Sequence, residues 1–184
     1  MHPQQLFVLE LCSNTFAGDL ISTHRDTGVY LGISGSLGGS LARVGAPTVY
    51  TGTAFSMAVA SGRVSFVLGL TGPCFPVDTA CSASLVAMHL GTVALKLHEC
   101  SRSCVCGQGL LEQSLYESFS AARMLSFQGR CHVFDKRADG YCRGEAGVAL
   151  SLSLKPEIVE VEAVAVQQDG SSASLTAPNG ASQR

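Results

Sequence analysis

The stretch "PVDTACSASLVAMHLG" (residues 76–91) places a cysteine where an extended segment runs into a helix. Residues 82–98 are apolar on nearly every side, which predicts a buried helix. Cys81 precedes this helix and lies between the small residues Ala80 and Ser82. On such a strand-to-helix turn a nucleophile is held at the carboxyl edge of a sheet, with its own backbone N–H available to an oxyanion. The positive end of the helix dipole favours the thiolate.

A structural interpretation of the same residues stays open. Cysteine is among the residue types most often buried in protein cores. Asp78, Thr79 and Ser82 are ordinary residues at a helix N-terminus. The motif alone therefore fits a packed, inert Cys81 as well as a catalytic one.

The histidines offer Cys81 no obvious base. His89 follows eight residues later, which puts it about 12 Å further along a helix, and we expect it to pack. His98 falls at the end of the same helix, where a cation suits the dipole. The remaining three are terminal or in loop-like sequence: His2, His24 and His132.

Composition excludes several classes of function. The 184 residues are 46% hydrophobic and 14% charged, with a formal net charge of −2. This favours a folded protein and gives no electrostatic case for nucleic acid or anionic membranes. No run reaches the roughly 18 apolar residues of a membrane span, and the N-terminus makes a poor signal peptide. We therefore expect a cytoplasmic protein whose eight cysteines are mostly thiols.

Helix and strand patterns alternate along the chain. Periodicity predicts strands at 28–34, 74–79, 103–107, 147–154 and 159–167, a flexible loop at 35–40, and helices at 3–13, 53–70 (weakened near Gly62), 82–98 and 114–125. This order is typical of a layered α/β fold with a mostly parallel sheet. No repeat or linker divides residues 1–184, which form one domain or part of one.

Metal and nucleotide sites are not favoured. The cysteines that could suggest zinc do not have paired C-x-x-C spacing: Cys100, Cys104, Cys106 and Cys131, which is followed by His132. In "CVC" (104–106), strand alternation puts both thiols on one face, as small core residues. "GISGSLGG" (32–39) lacks the GxGxxG order of a dinucleotide loop. We expect no bound metal or cofactor.

A dense charged run precedes the predicted strand at 147–154. It comprises Asp135, Lys136, Arg137, Asp139, Arg143 and Glu145. The simpler interpretation is a loop held together by internal ion pairs. The functional alternative is that Glu145 orients groups of an active site.

Several blocks of the sequence resemble one enzyme family. "VDTACSASLVAMHL" (77–90) resembles the nucleophile motif of β-ketoacyl synthases, specifically the ketosynthase domain of type I polyketide synthases and their fatty-acid relatives. The likeness extends, in the family's order, over residues 2–10, 28–34, 50–84, 122–145 and 166–183. Together these blocks cover almost the whole chain and are far more specific than a lone Thr-Ala-Cys.

The resemblance implies a thiolase-like layered fold (α-β-α-β-α) and a decarboxylative Claisen condensation. Cys81 would carry an acyl group as a thioester, with its N–H serving the oxyanion and with Thr79, Ala80, Ser82 and Glu145 as supporting residues. Acyl and malonyl thioesters would arrive on the phosphopantetheine of acyl carrier protein, and the product would be a polyketide or a fatty acid. The complete domain would form a homodimer through the strand before Cys81, with Pro76 on the side that donates no bond.

The resemblance also implies that residues 1–184 are a partial ketosynthase domain. The family's two catalytic histidines lie in His-Gly-Thr-Gly-Thr and Lys-x-Asn-x-Gly-His motifs, and neither is present. The family's opening strand region and C-terminal half are absent too. We therefore expect the isolated chain to be inactive in condensation. Two alternatives remain: a hydrolase of thioesters, and a non-catalytic ketosynthase remnant that binds acyl groups or dimerises.

Overall fold

The computed structural model describes residues 1–16, 24–34, 46, 48–155, 159–174, 177 and 179–182. Its helices are α1 (Pro3–Thr15), α2 (Thr51–Phe55), α3 (Met57–Leu68), α4 (Ala83–Lys96) and α5 (Gln113–Ala121). Its strands are β1 (Gly28–Ile33), β2 (Cys74–Val77), β3 (Ser103–Gly109) and β4 (Ala146–Leu152), and a 3₁₀ turn spans Ala80–Ser82. The loop predicted at 35–40 lies outside the described residues.

The four strands form one sheet in the order β2-β1-β3-β4. β2 and β3 run parallel to β1, whereas β4 runs antiparallel to β3. The predicted mostly parallel α/β sheet is therefore confirmed. Because β4 is reversed, its first residue, Ala146, lies opposite the last residue of β3, Gly109. The sheet edge formed by the ends of β1, β2 and β3 and the start of β4 is called the carboxyl edge below.

Helices cover both faces of the sheet. One apolar cluster joins α1 and α3 to one face, and its buried members include Val8, Cys12, Val64, Leu31, Cys104 and Cys106. The other joins α4 to the opposite face through Ala87, Ala94, Leu95, Tyr30 and Val105. In β1, Tyr30 packs in the second cluster, while its neighbours on the strand pack in the first: Val29, Leu31 and Ile33. This alternation follows the period of two in a strand. Both faces of β1 are therefore buried.

The helix predicted over 53–70 is interrupted at a different residue from the one expected. It divides into α2 and α3 at Ser56, whose backbone is extended (φ −85°, ψ 126°), while Gly62 lies inside α3. Ser56 Oγ accepts a hydrogen bond from the Val59 N–H at 3.3 Å. A serine whose side chain accepts from an N–H of the first helical turn favours the start of a helix at that point. The helix boundary therefore falls at Ser56 and not at Gly62.

Two further predictions are wrong. Residues 159–167 form neither strand nor helix and are mostly exposed. Alternation shows only that a segment would fit a half-buried sheet surface, and this one pairs with no described strand. The α4 helix is not buried on all sides, because Leu85 is 64% and Leu90 37% exposed. Its small residues pack on the sheet, while its outer apolar face has no cover among the described residues.

None of the helices in the described part of the chain is long and apolar enough to cross a membrane.

Candidate active site around Cys81

Cys81 occupies the turn between β2 and α4. Val77 ends the strand, the turn Ala80–Ser82 follows, and Ala83 begins the helix. The Cys81 side chain is exposed. The interpretation of Cys81 as a buried structural cysteine is therefore wrong. Its exposure leaves the sulfur open to a substrate at the carboxyl edge, beyond the end of β2.

Local hydrogen bonds hold this turn in a strained shape. Asp78 Oδ1 accepts a hydrogen bond from the Ala80 N–H at 2.9 Å. Ser82 Oγ lies 2.9 Å from both the carbonyl oxygen and the Oγ1 atom of Thr79. Ala80 adopts φ +54°, a left-handed conformation that costs a residue with a side chain about 1–2 kcal/mol. The hydrogen bonds of these three polar side chains offset this strain.

The backbone N–H of Cys81 is the available donor in this turn. The N–H groups on either side are engaged, Ala80 with Asp78 and Ser82 with the carbonyl oxygen of Thr79 at 3.3 Å. Within the described parts of the chain, the Cys81 N–H has no hydrogen-bond partner. The first N–H groups of a helix have no intrahelical acceptor, so an anionic oxygen beside the sulfur could accept from this group.

Two glycines beneath α4 bring the turn onto the sheet. Gly32 of β1 and Gly107 of β3 are partners in the sheet register. A Cβ atom on Gly32 would lie 2.6 Å from Ser84 N, and one on Gly107 would lie 2.5 Å from Ser84 Cβ. The first turn of α4 therefore rests on bare backbone, and Gly32 and Gly107 are called the glycine cradle below. The sequence analysis missed this role, although a glycine inside a strand is itself a signal of close approach.

Glu145 lies at the carboxyl edge, but it belongs to the other end of the sheet. It immediately precedes β4, whereas Cys81 follows β2. Glu145 Oε1 accepts a hydrogen bond from the Leu111 N–H at 2.7 Å, which ties the segment after β3 to the start of β4. The structure thus gathers Thr79, Ala80, Cys81 and Ser82 in one turn and places Glu145 at a distance from it along the same edge.

The charged run is held together internally, as the simpler interpretation predicts. Arg137 Nη2 lies 2.6 Å from Asp135 Oδ2, and this pairing lowers the pKa of Asp135. Asp139 accepts from the Ser126 hydroxyl and from the Phe127 N–H, and these bonds lower its pKa. These contacts fold the loop before β4 onto itself. They show no direct link to Cys81.

The histidines do not surround Cys81. His2 is the N-cap of α1, where its Nδ1 accepts from the Gln4 N–H at 3.3 Å. His132 Nδ1 lies 3.7 Å from Asp139, and His98 follows α4 with φ +58°. No hydrogen bond joins any of the five to Cys81, all of them being among the described residues. The turn therefore has a thiol and an N–H donor, but no adjacent histidine base.

The buried cysteines are core residues, as strand alternation predicts. Cys104 and Cys106 are fully buried on the face that carries Cys12, and Cys104 Sγ lies 3.6 Å from Cys12 Sγ. Cys100 packs on the opposite face of the sheet. Hydrogen bonding with Cys104 raises the pKa of Cys12, and hydrogen bonding with Cys12 raises that of Cys106, so both remain protonated thiols. In the described part of the chain, no three His, Cys, Asp or Glu side chains are grouped as metal ligands would be.

The chain is similar to known β-ketoacyl synthases. The family model described as the N-terminal domain of β-ketoacyl synthase matches residues 1–156. The chain is 40% identical, over 198 aligned positions, to the type I phenolphthiocerol synthesis polyketide synthase of Mycobacterium marinum. It is 38% identical over 201 positions to the erythronolide synthase EryA2 of Saccharopolyspora erythraea. Both alignments cover the whole chain but only 9% and 6% of those relatives.

Solved ketosynthase structures share the fold. The ketosynthase from module 6 of the bacillaene synthase of Bacillus subtilis matches with a TM-score of 0.80 and 32% identity. That match covers all of this chain and 34% of the bacillaene chain. The oxazolomycin ketosynthase domain of Streptomyces albus matches 82% of this chain with a TM-score of 0.69 and 28% identity, covering 28% of that domain's chain. The chain thus spans about a third of these structures.

Proposed function

We propose, because this chain belongs to the β-ketoacyl synthase family and has its thiolase-like α/β fold, that Cys81 is the residue that accepts an acyl group as a thioester. One observation supports this most directly. An exposed thiol lies in a strained turn at the start of α4, beside its own N–H, which has no hydrogen-bond partner among the described residues. A substrate carbonyl that approaches this sulfur finds a hydrogen-bond donor on the same residue.

The proposed acyl transfer uses only groups in this turn. The Cys81 thiolate attacks the carbonyl carbon of an acyl thioester on phosphopantetheine, and the carbonyl oxygen becomes an oxyanion that accepts from the Cys81 N–H. Collapse of this intermediate forms the acyl–Cys81 bond and breaks the bond to the pantetheine sulfur, which leaves and takes up a proton. Thr79, Ala80 and Ser82 serve as positioning residues, since they shape the turn without reacting.

Condensation is the second half of the proposal. A malonyl-type extender on acyl carrier protein loses carbon dioxide, and its enolate carbon attacks the acyl carbonyl and expels the Cys81 thiolate. Charge on the enolate oxygen requires positioned donors. Since the chain covers only a small part of its relatives, condensation is proposed for the complete domain. Glu145 would support the site by fixing the carboxyl edge through Leu111.

In the described sheet, β2 is an edge strand, and this supports a proposal of homodimerisation by the complete domain. The Pro73 carbonyl oxygen accepts from the Val29 N–H at 2.7 Å, so by strand alternation Cys74 and Pro76 direct their backbone groups away from β1. Pro76, which has no N–H, therefore costs the described sheet no hydrogen bond. A second copy would pair along this edge. We also propose that the complete protein is cytoplasmic, as the sequence leads us to expect.

The test of the nucleophile is acyl transfer from a short acyl-pantetheine thioester. We expect one acyl adduct per chain, located on Cys81 by peptide mass spectrometry and lost in Cys81→Ala. Cys131→Ala is the matched control, because Cys131 is also exposed. This variant should be acylated at Cys81 as the wild type is. Acylation that survives Cys81→Ala, or spreads evenly over the exposed thiols, would contradict the assignment. Steady release of free acid would favour the thioester hydrolase.

We also propose that the 184-residue chain alone does not condense. General acid–base help is worth about 10²–10⁴-fold in rate, and one oxyanion donor about 10²–10³-fold. Without the family's two histidines, acyl uptake should proceed while product stays at trace level. Malonyl-loaded carrier protein is added to acyl-Cys81, and carbon dioxide and β-ketoacyl product are followed. Steady product formation that requires Cys81 would show that a residue of this chain replaces those histidines.

A further inference from the structure

The loop between α5 and β4 doubles back, so that its two arms touch. The Ser126 N–H donates to the Tyr141 carbonyl oxygen at 3.0 Å, and the Tyr141 N–H donates to the Met124 carbonyl oxygen at 3.2 Å. A Cβ on Gly140 would lie 2.5 Å from the backbone of Leu125. The arms are therefore in backbone contact where they meet, and the residues next to this contact are held close.

Two cysteines lie on the two arms of this loop. The Cys142 N–H donates to the Cys131 sulfur with an N–S distance of 3.1 Å, and that sulfur is 3.8 Å from the Cys142 carbonyl oxygen. The Cys131 sulfur is thus within about 4.6 Å of the Cys142 Cα. A disulfide requires Cβ atoms about 3.5–4.5 Å apart, which this placement can satisfy.

A bond between the two sulfurs requires Cys142 Sγ to turn toward Cys131. Cys142 Sγ is turned toward the Arg143 carbonyl oxygen, at 3.6 Å. Both cysteines are exposed, so this rotation disturbs no core packing. Cys81, the other exposed thiol, lies in the turn after β2 and makes no hydrogen bond to this pair. Cys12, Cys100, Cys104 and Cys106 are buried, and Cys74 is partly buried in β2. Cys131 and Cys142 are therefore the exposed pair in contact.

We propose that Cys131 and Cys142 form a reversible disulfide when the chain meets a small-molecule disulfide such as oxidised glutathione. One protein thiolate attacks a glutathione sulfur and releases one glutathione thiolate. The second protein thiol loses its proton and attacks the mixed disulfide, releasing the second glutathione. Two protein thiols are oxidised, and one glutathione disulfide is reduced to two thiols. The bond would close the loop that leads into Glu145, three residues after Cys142.

Trypsin gives a direct readout. Cleavage after Arg130, Lys136, Arg137 and Arg143 places the two cysteines on separate peptides, 131–136 and 138–143. After equilibration of the full chain with oxidised glutathione and alkylation of free thiols, we expect these peptides joined and two hydrogens lighter than their sum. Reduced glutathione should separate them. Cys142→Ser should remove the link, whereas the matched Cys81→Ser should retain it.

A second measurement uses the wild-type chain alone and so does not depend on a variant folding. The ratio of reduced to oxidised glutathione that half-forms the bond is compared in buffer and in guanidinium. Because the fold brings the thiols together, the native bond should resist at least about tenfold more reductant than the unfolded one. Equal midpoints, stable glutathione adducts on separate peptides, or a link from either cysteine to Cys81 would overturn the proposal.

Discussion

Replacing Gly32 by alanine tests whether the glycine cradle sets the position of Cys81. The added Cβ would lie 2.6 Å from Ser84 N and 2.7 Å from the carbonyl carbon and oxygen of Ala83. All three atoms are backbone atoms in the first turn of α4, so no side-chain rotation can relieve the contact. The helix start must retreat by about 0.8 Å or more to regain the ordinary van der Waals separation, which begins at 3.4 Å.

That retreat allows the magnitudes to be estimated. Overpacking of this kind costs about 1–3 kcal/mol in the free energy of unfolding. Misplacement of a reacting group by about 1 Å costs about 10²-fold in rate, so a shift of Cys81 that follows this retreat should slow acylation by about tenfold or more. The assays are urea unfolding and the rate of acyl-adduct formation at Cys81.

The matched control is Gly62→Ala. Gly62 lies inside α3, and an added Cβ there meets nothing within 4 Å. Alanine should stabilise that helix by about 0.5–1 kcal/mol and leave the acylation rate unchanged. The reasoning would be refuted if Gly32→Ala matched the wild type in both stability and rate, or if the two variants lost stability equally.

Two compensating substitutions test the close contact between Gly107 and Ser84. Gly107→Ala clashes chiefly with the Ser84 Cβ, at 2.5 Å, and we expect a loss of about 1–3 kcal/mol. Ser84→Gly removes that Cβ, at a helix-propensity cost of about 1 kcal/mol. The double variant should therefore be more stable than Gly107→Ala alone in urea unfolding. Additive losses would show that the contact is not the cause.

Two predictions concern the turn and the first helix. Ala80→Gly should relieve the left-handed strain and stabilise the chain by up to about 1 kcal/mol. Ala80→Val, which introduces a β-branched side chain, should destabilise the chain by a similar amount or more and slow Cys81 acylation. If thermal unfolding ranks the two variants the other way, strain at this residue is excluded. Burial lowers the pKa of His2, and this exceeds the opposing effect of Glu112, so the unfolded chain binds the proton more tightly. The free energy of unfolding should therefore decrease as the pH falls below about 6.5. His2→Asn keeps an acceptor for the Gln4 N–H, and its urea midpoints should depend less steeply on pH. A pH profile unchanged by this substitution would rule out the titration of His2 as the cause.

Much of the fold could be predicted from local patterns. The strands at 28–34, 74–79 and 103–107 and the helix at 82–98 follow from apolar runs and their boundaries, because a period of two or of 3.6 is a property of neighbouring residues. The small residues around Cys81 likewise indicated a tight turn. The break at Ser56 was missed because one capping hydrogen bond decided it.

Contacts between distant segments decided the rest. The alternating pattern at 159–167 predicted a strand, but a strand also needs a partner elsewhere in the chain. No described strand pairs with this segment. The register of β1 with β3 sets Gly32 beside Gly107 and so brings α4, with Cys81 before it, onto bare backbone. The reversal of β4 carries Glu145 to the carboxyl edge. By itself the sequence determined which segments could be helix or strand and which thiol to propose as the nucleophile. Where that thiol lies depends on strand register and on the close approach of backbones, which arise only when residues far apart in the chain pair.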